Sequence, residues 1–284
     1  MNKTLIKLFS IFLIFNNLLW LEKTPAIVPY FYIPNNKNLE KESLEIGKGA
    51  YQLLYFGQNK ESLKLAQLAI SINEKNEKLW AILAESQLAN NLFDEALLSI
   101  KKAKKINPSM SELYFAEASI YLKQKNIKNA KLSLLKGLEL KPKNTNALFQ
   151  LGNIFLIEKK YNNALKQYEK AINIEPKFWQ AINNQGLVYF ELNKIAKAIN
   201  AFEKAIAIEE NAEPILALAV SINSNKNEES IILAKKALQK NPKYVSSQYR
   251  KEQLWGEKLE KATVKLFLEK KLSVDIEIAK KYLD

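Results

Sequence analysis

The chain has 284 residues, 48% hydrophobic and 26% charged, with 43 Lys+Arg against 30 Asp+Glu for a formal charge of +13. It contains no Cys and no His, which excludes Cys–His and Ser–His–Asp nucleophile systems, Cys/His zinc sites, disulfides and a lipid-modified Cys. With only 7 Gly and 8 Pro, long helices are favoured over many short strands and turns.

Lys3 and Lys7 precede an uncharged apolar run, Leu8 to Leu21 (LFSIFLIFNNLLWL). Positive then apolar is the order of a signal peptide or signal anchor. The run is short for a spanning helix, which needs about 17–25 residues, and Asn16 and Asn17 interrupt it. Residues 1–23 are therefore expected to be a cleaved signal, an uncleaved membrane anchor, or a helix packed on the domain. The lysines place the amino terminus in the cytoplasm and the rest of the chain on the other side, in a periplasm or lumen. Under the packed-helix reading the protein is cytoplasmic. Residues 24–41 read as an extended linker, because Pro25, Pro29 and Pro34 oppose helix. Its Tyr30, Phe31 and Tyr32 suit a membrane interface or the side of the first folded unit.

From Ser43 the sequence repeats. Pro108, Pro142 and Pro176 are 34 residues apart and end the phrases AKKINP, GLELKP and AINIEP. Related phrases end at Glu74, Glu210 and Pro242, the last step being two residues short. Small residues recur at Ala50, Ala84, Ala118, Gly152 and Gly186, and again at Ser62, Ala96, Ala130, Ala164, Ala198 and Ser230. Ala69, Ala103, Gly137, Ala171, Ala205 and Ala237 hold a third position, while Ala66, Ile100, Leu134, Tyr168, Phe202 and Ala234 hold a bulkier one. Two helices of about a dozen residues, each with a short turn, fill this period. Small residues are expected where helix axes cross closely, and Pro punctuates the joins.

These residues resemble the tetratricopeptide repeat (TPR) family, over Ser43 to Tyr244. The fourth unit matches best, through Leu148, Leu151, Gly152, Phe155, Ala164, Tyr168, Ala171 and Pro176. The fifth departs at Gln185 and Glu210, and the first and sixth are degenerate. Pentatricopeptide repeats lack this Ala/Gly–Ala–Ala–Pro set. The resemblance implies an all-α, right-handed superhelical solenoid of about six helix pairs, over residues 42–243. Degenerate end units are expected to fray first.

Residues 244–284 leave the period and read as capping helices, broken near Trp255-Gly256, with Ser273 capping the last one. The phrase YRKEQLWGEKLEKATVKLF is also similar to the tail of cyanobacterial repeat proteins, a lineage in which some members assist photosystem assembly.

In this family the first helix of each pair lines a groove that takes peptides or helices. Carried onto this sequence, the groove positions are Glu85, Phe115, Ser119, Phe149, Gln150, Asn153, Asn183, Asn184 and Leu187. Asn153 and Asn184 are of most interest, since an amide can hold a peptide backbone through both donor and acceptor. The family's carboxylate clamp needs cations beside such asparagines. Phe149 and the apolar run Ile215 to Val220 stand there instead, so a chaperone carboxyl-terminal tail is not the expected ligand.

The expectation is a scaffold that binds a protein or extended peptide, without a cofactor, membrane-associated through its amino terminus, in the assembly of a membrane complex. Self-association through end units stays open. A nucleic-acid-binding helical repeat is the alternative that +13 suggests. Against it, Arg250 is the only arginine, and the remaining positive charge is scattered lysine. An enzyme is disfavoured: pairs such as Glu209-Glu210 and Glu228-Glu229 fall at helix ends, and no Gly-rich phosphate loop occurs.

Overall fold

The computed structural model describes the backbone of residues 36–225 and 227–283. The expected signal or anchor, 1–23, and the linker up to residue 35 lie outside the described residues. The chain divides between Leu39 and Glu40, and the repeats belong to the second unit. Among the described residues there are fifteen α-helices, two 3-10 turns and no strand. No helix among them is long and apolar enough to cross a membrane.

The first twelve helices form six consecutive pairs. They are α1 (Asn36–Tyr55) with α2 (Asn59–Ile72), α3 (Glu77–Ala89) with α4 (Phe93–Ile106), and α5 (Ser111–Lys123) with α6 (Ile127–Leu140). Then come α7 (Thr145–Ile157) with α8 (Tyr161–Ile174), α9 (Trp179–Glu191) with α10 (Ile195–Ile208), and α11 (Ala212–Ile222) with α12 (Asn227–Lys240). Each helix packs on its neighbours in the chain, the arrangement of an all-α solenoid. The first helix starts at Asn36, inside the stretch read as linker.

The 34-residue beat has two structural causes. One is the turn inside each pair. Gly57, Asn91, Lys125, Lys159 and Asn193 all have φ between 56° and 71°, the left-handed conformation that ends a helix. The next N–H then reaches back five residues, as in Asn126 N to Tyr121 O (2.8 Å) and Lys194 N to Tyr189 O (2.8 Å). Only the first unit uses Gly here, so in the others a side chain bears the strain.

The other cause is a size match between the helices of a pair. The recurrent small residue of the first helix faces the recurrent larger residue of the second. Both are essentially inaccessible, at 0–1% for Ala84, Ile100, Ala118, Leu134, Tyr168 and Phe202. A Cβ on Gly152 would overlap the Tyr168 ring, and one on Gly186 the Phe202 ring. Where the small residue is Ala, the partner is Ile100 or Leu134. Where it is Gly, the partner is aromatic. Across units two to five pair volume is conserved although neither residue is; the first unit instead pairs Ala50 with Ala66.

After α12 the chain leaves the pairing. A 3-10 turn (Pro242–Val245) is followed by α13 (Ser247–Glu252), α14 (Glu257–Leu266), a second 3-10 turn (Lys270–Leu272) and α15 (Ser273–Lys280). The break at Trp255-Gly256 falls where the sequence placed it, with Leu254 at φ 65° just before. Ser273 is not a cap: it lies inside α15 and its hydroxyl donates to Lys270 O (2.8 Å). Ser246 caps instead, its Oγ accepting Tyr249 N–H at the start of α13 (3.3 Å).

The tail turns back along the array. α14 packs on α9 and α11, the first helices of units five and six, while α15 packs on α12. As a result all eleven residues of α11 are buried. They share a core with Leu187, Phe202, Trp255, Leu259, Leu266 and Ile276. This cover reverses the expectation that the sixth unit frays; α1, with Tyr55 and Phe56 exposed, keeps an open end.

Gly186→Ala should destabilise the array by about 1–3 kcal/mol through overlap with Phe202. The double variant with Phe202→Leu should recover much of this, as read from urea midpoints; no recovery would refute the size match. Lys125, exposed and left-handed, should be improved by Lys125→Gly, raising stability by up to about 1 kcal/mol. A lowered thermal midpoint would contradict the strain.

Candidate functional site

The projected groove residues separate into an open set and a covered set. Glu85 on α3, Phe115 and Ser119 on α5, and Gln150 on α7 line one concavity of about 580 Å³, together with Tyr51 of α1 and Leu88. It runs across the first helices of units one to four. All four projected residues there are half-buried. Phe115 is held by its ring lying against Gly137 of α6, where a Cβ would collide with it. The Ser119 hydroxyl donates to Phe115 O (3.0 Å).

The other projected residues turn inward. Phe149 packs on Phe178 (ring centroids 5.0 Å) and Tyr168 (6.0 Å). Asn183 and Leu187 are 0% and 1% exposed, and Asn184 is 7% exposed. Asn153 is half-buried, and its Oδ1 accepts from Tyr168 Oη (2.8 Å) and Asn184 Nδ2 (2.9 Å). The expectation that Asn183, Asn184 and Leu187 face a ligand is therefore corrected: they are buried, and Leu187 shares a core with Trp255 and Leu259 of the tail. Asn153 stays half-buried, with its amide oxygen engaged by Tyr168 and Asn184.

Two polar contacts, at Glu191 and Glu213, fasten that tail to the array, and a third, at Arg250, braces it internally. Glu191, at the end of α9, accepts Lys258 N–H and Leu259 N–H at the start of α14 (both 3.0 Å). This places a carboxylate on the positive end of a helix that lacks a cap of its own. Gly256 is required there, since a Cβ would strike the Glu191 carboxyl.

Arg250, 2% exposed, makes a two-pronged pair with Glu260 (2.8 and 2.6 Å) and donates to Tyr244 O (2.6 Å) and Val245 O (3.0 Å). Burial works against the Glu260 carboxylate, but the hydrogen bonds and charge of Arg250 outweigh it and hold its pKa below the ordinary value. The chain's one arginine is thus fully used inside the cap.

The other contact with the array is Glu213, at the start of α11. Trp255 Nε1 donates to its Oε1 (3.2 Å), and Asn183 and Tyr244 also hydrogen-bond to it. Burial raises its pKa to about 7 against these bonds. Asn183 Oδ1, beside it, is buried with no hydrogen-bond partner among the described residues. The sequence gave little warning of this network, because its members are 42 residues or more apart in the cap contact.

Two of the other concavities are larger. One, about 600 Å³, lies by α9 and α10 and includes Gln185, Lys197 and Lys204. The other, about 670 Å³, lies where the tail meets the end of α7 and includes Trp255, Glu257 and Lys258. No group of three Asp or Glu among the described residues is placed to hold a metal ion.

Glu213 has a calculable effect on stability. Its folded pKa lies above the unfolded value of 4.5, so the folded state binds the proton more tightly. Its contribution is then fullest below about pH 4.5 and is lost as pH rises to about 7. Glu213→Gln should remove this slope, and at pH 8 should raise the urea midpoint, by an equivalent of about 3 kcal/mol at most. An unchanged difference between pH 5 and pH 8 in that variant would contradict the burial of a titrating carboxyl.

Comparison with known proteins agrees with the repeat geometry. Residues 152–193 match a family described as TPR repeat, and residues 179–212 and 111–144 match families described as tetratricopeptide repeat. No curated protein matches the chain in sequence. Among solved structures it is similar to Pseudomonas aeruginosa PilF (TM-score 0.63, 18% identity, covering 78% of this chain and 99% of that one). It is also similar to PilW, a type IV pilus biogenesis factor (TM-score 0.62, 18% identity, 74% and 97%). A third is YrrB, a TPR protein with an unusual peptide-binding site (TM-score 0.51, 19% identity, 68% and 98%). At these identities the likeness concerns the fold. With the 34-residue period, the paired helices and the family matches in agreement, the chain is a tetratricopeptide-repeat solenoid.

Proposed function

We propose that this protein is a binding scaffold that takes an extended segment of a partner protein across the first helices of units one to four. The observation that carries this reading is the contrast between the two ends of the groove. Over units five and six the groove is filled by α14 and its polar contacts. Over the earlier units the equivalent positions line an open concavity of about 580 Å³ with mixed apolar and amide walls. The description of YrrB as having a peptide-binding site adds support from the same fold.

A role at a membrane, in the assembly of a larger complex, is the finer form of this proposal. It rests on the positive-then-apolar order of residues 1–23, which would anchor the protein or export it with the repeats on the non-cytoplasmic side. The description of PilW as a biogenesis factor points the same way. Nucleic-acid binding is the weaker reading, since Arg250 is buried in the cap and the surface offers only lysine.

The test is gentle crosslinking of the full chain in cells, with and without Ser119→Trp. Ser119 is half-buried on the groove wall, so an indole there obstructs the channel without removing a core side chain. A partner recovered with the wild type should be reduced about tenfold or more with Ser119→Trp, while far-ultraviolet circular dichroism stays unchanged. Equal recovery from a folded Ser119→Trp would remove the groove from the binding surface.

A further inference from the structure

The open groove has a charge unlike the rest of the molecule. Two carboxylates, Glu85 and Glu112, line it, and no Lys or Arg does, although the chain carries +13 overall. Glu112 is already paired: Lys141 Nζ lies 2.9 Å from its Oε1, and the hydrogen bond from Lys141 leads in holding its pKa below the ordinary carboxylate value. Glu85 differs. Among the described residues no hydrogen-bond donor or cation meets its carboxylate, and burial alone pushes its pKa up. The other titratable group sharing the concavity is the phenol of Tyr51 on α1. A desolvated carboxylate without a partner is costly, and the cost is relieved when a cation is brought to it.

We propose that the groove selects an extended segment carrying a lysine or arginine, whose charged head pairs with Glu85 while its methylene stem lies on Leu88 and Phe115. Glu85 supplies the only unpaired charge on the walls. Leu88 and Phe115 supply an apolar surface for the stem. Gln150 and Asn146 supply amides that hold a peptide backbone irrespective of its sequence. The +13 of the molecule disfavours a basic partner at long range, but that field is screened within about 10 Å in physiological salt. The contact at Glu85 is made inside that distance and out of bulk water. This inference rests on the groove being the binding surface.

The experiment uses the full chain against a positional-scanning decapeptide library whose central residue is Lys, Arg, norleucine, Gln or Glu in randomised flanks. Binding is read by fluorescence anisotropy. Lys and Arg pools should bind about tenfold more tightly than norleucine, the size of a charge-assisted hydrogen bond. Glu85→Gln, an isosteric change, should bring the pools level. The Lys preference should also weaken as the pH falls toward 5, because protonated Glu85 offers no charge. Binding that Ser119→Trp abolishes but that ignores the central charge overturns this inference alone. So does a Lys preference that survives in Glu85→Gln, or one that does not weaken on acidification. Binding that Ser119→Trp leaves intact, or no binding of any pool, overturns the groove reading and this inference with it.

Discussion

The array depends on how closely the two helices of a pair can approach. At the crossings of units two to five a small residue of the first helix receives a larger side chain of the second, and the sum of the two is conserved. Ala84 takes Ile100, Ala118 takes Leu134, Gly152 takes Tyr168 and Gly186 takes Phe202. Protein interiors are close-packed, so a change at one partner must be answered at the other. Once the crossings are set, the left-handed turn residue of each pair is placed in the same register. The first helices then stand side by side with corresponding positions in line. The groove is a consequence of that alignment, not a separately built feature.

What happens along the groove is decided by the tail. Its α14 could lie against α9 and α11 only if its own positive end were satisfied there, and Glu191 does that from the end of α9. Gly256 leaves room for the carboxylate, and Trp255 closes over Glu213. Positions that line the open groove in the earlier units are therefore the floor of an internal interface in the later ones. The same projected position is a half-buried Glu at 85, a Ser at 119, a hydrogen-bonded Asn at 153 and a buried Leu at 187. Polarity falls along the series as the tail closes over it.

Charge follows the same division. Lysines coat the outer surfaces, many of them in exposed pairs with glutamates, such as Lys48 with Glu45 and Lys136 with Glu139. Such pairs add little to stability. The buried ionic groups are few and placed at the cap: Arg250 with Glu260, and the protonatable Glu213. Glu85 stands apart from both classes, partly desolvated yet unpaired. That is the condition expected of a group awaiting a charge from outside the molecule.

The sequence alone determined the helix pairs, their number and their period. Those follow from local rules: a small residue or a proline must recur wherever the same crossing or the same turn recurs. The turn residues escaped notice: Gly57, Asn91 and Asn193 keep the beat, but Lys125 and Lys159 between them adopt a conformation that their side chains do not advertise. The start of the first helix at Asn36 was also missed. The open half of the candidate groove, Glu85, Phe115, Ser119 and Gln150, was legible because it needs only the family's register. The closed half was not. That Asn183, Asn184 and Leu187 are buried, and that Glu191 and Glu213 fasten a folded-back tail, depends on contacts between residues far apart in the chain. No repeat period encodes those, and only the tertiary structure decided them.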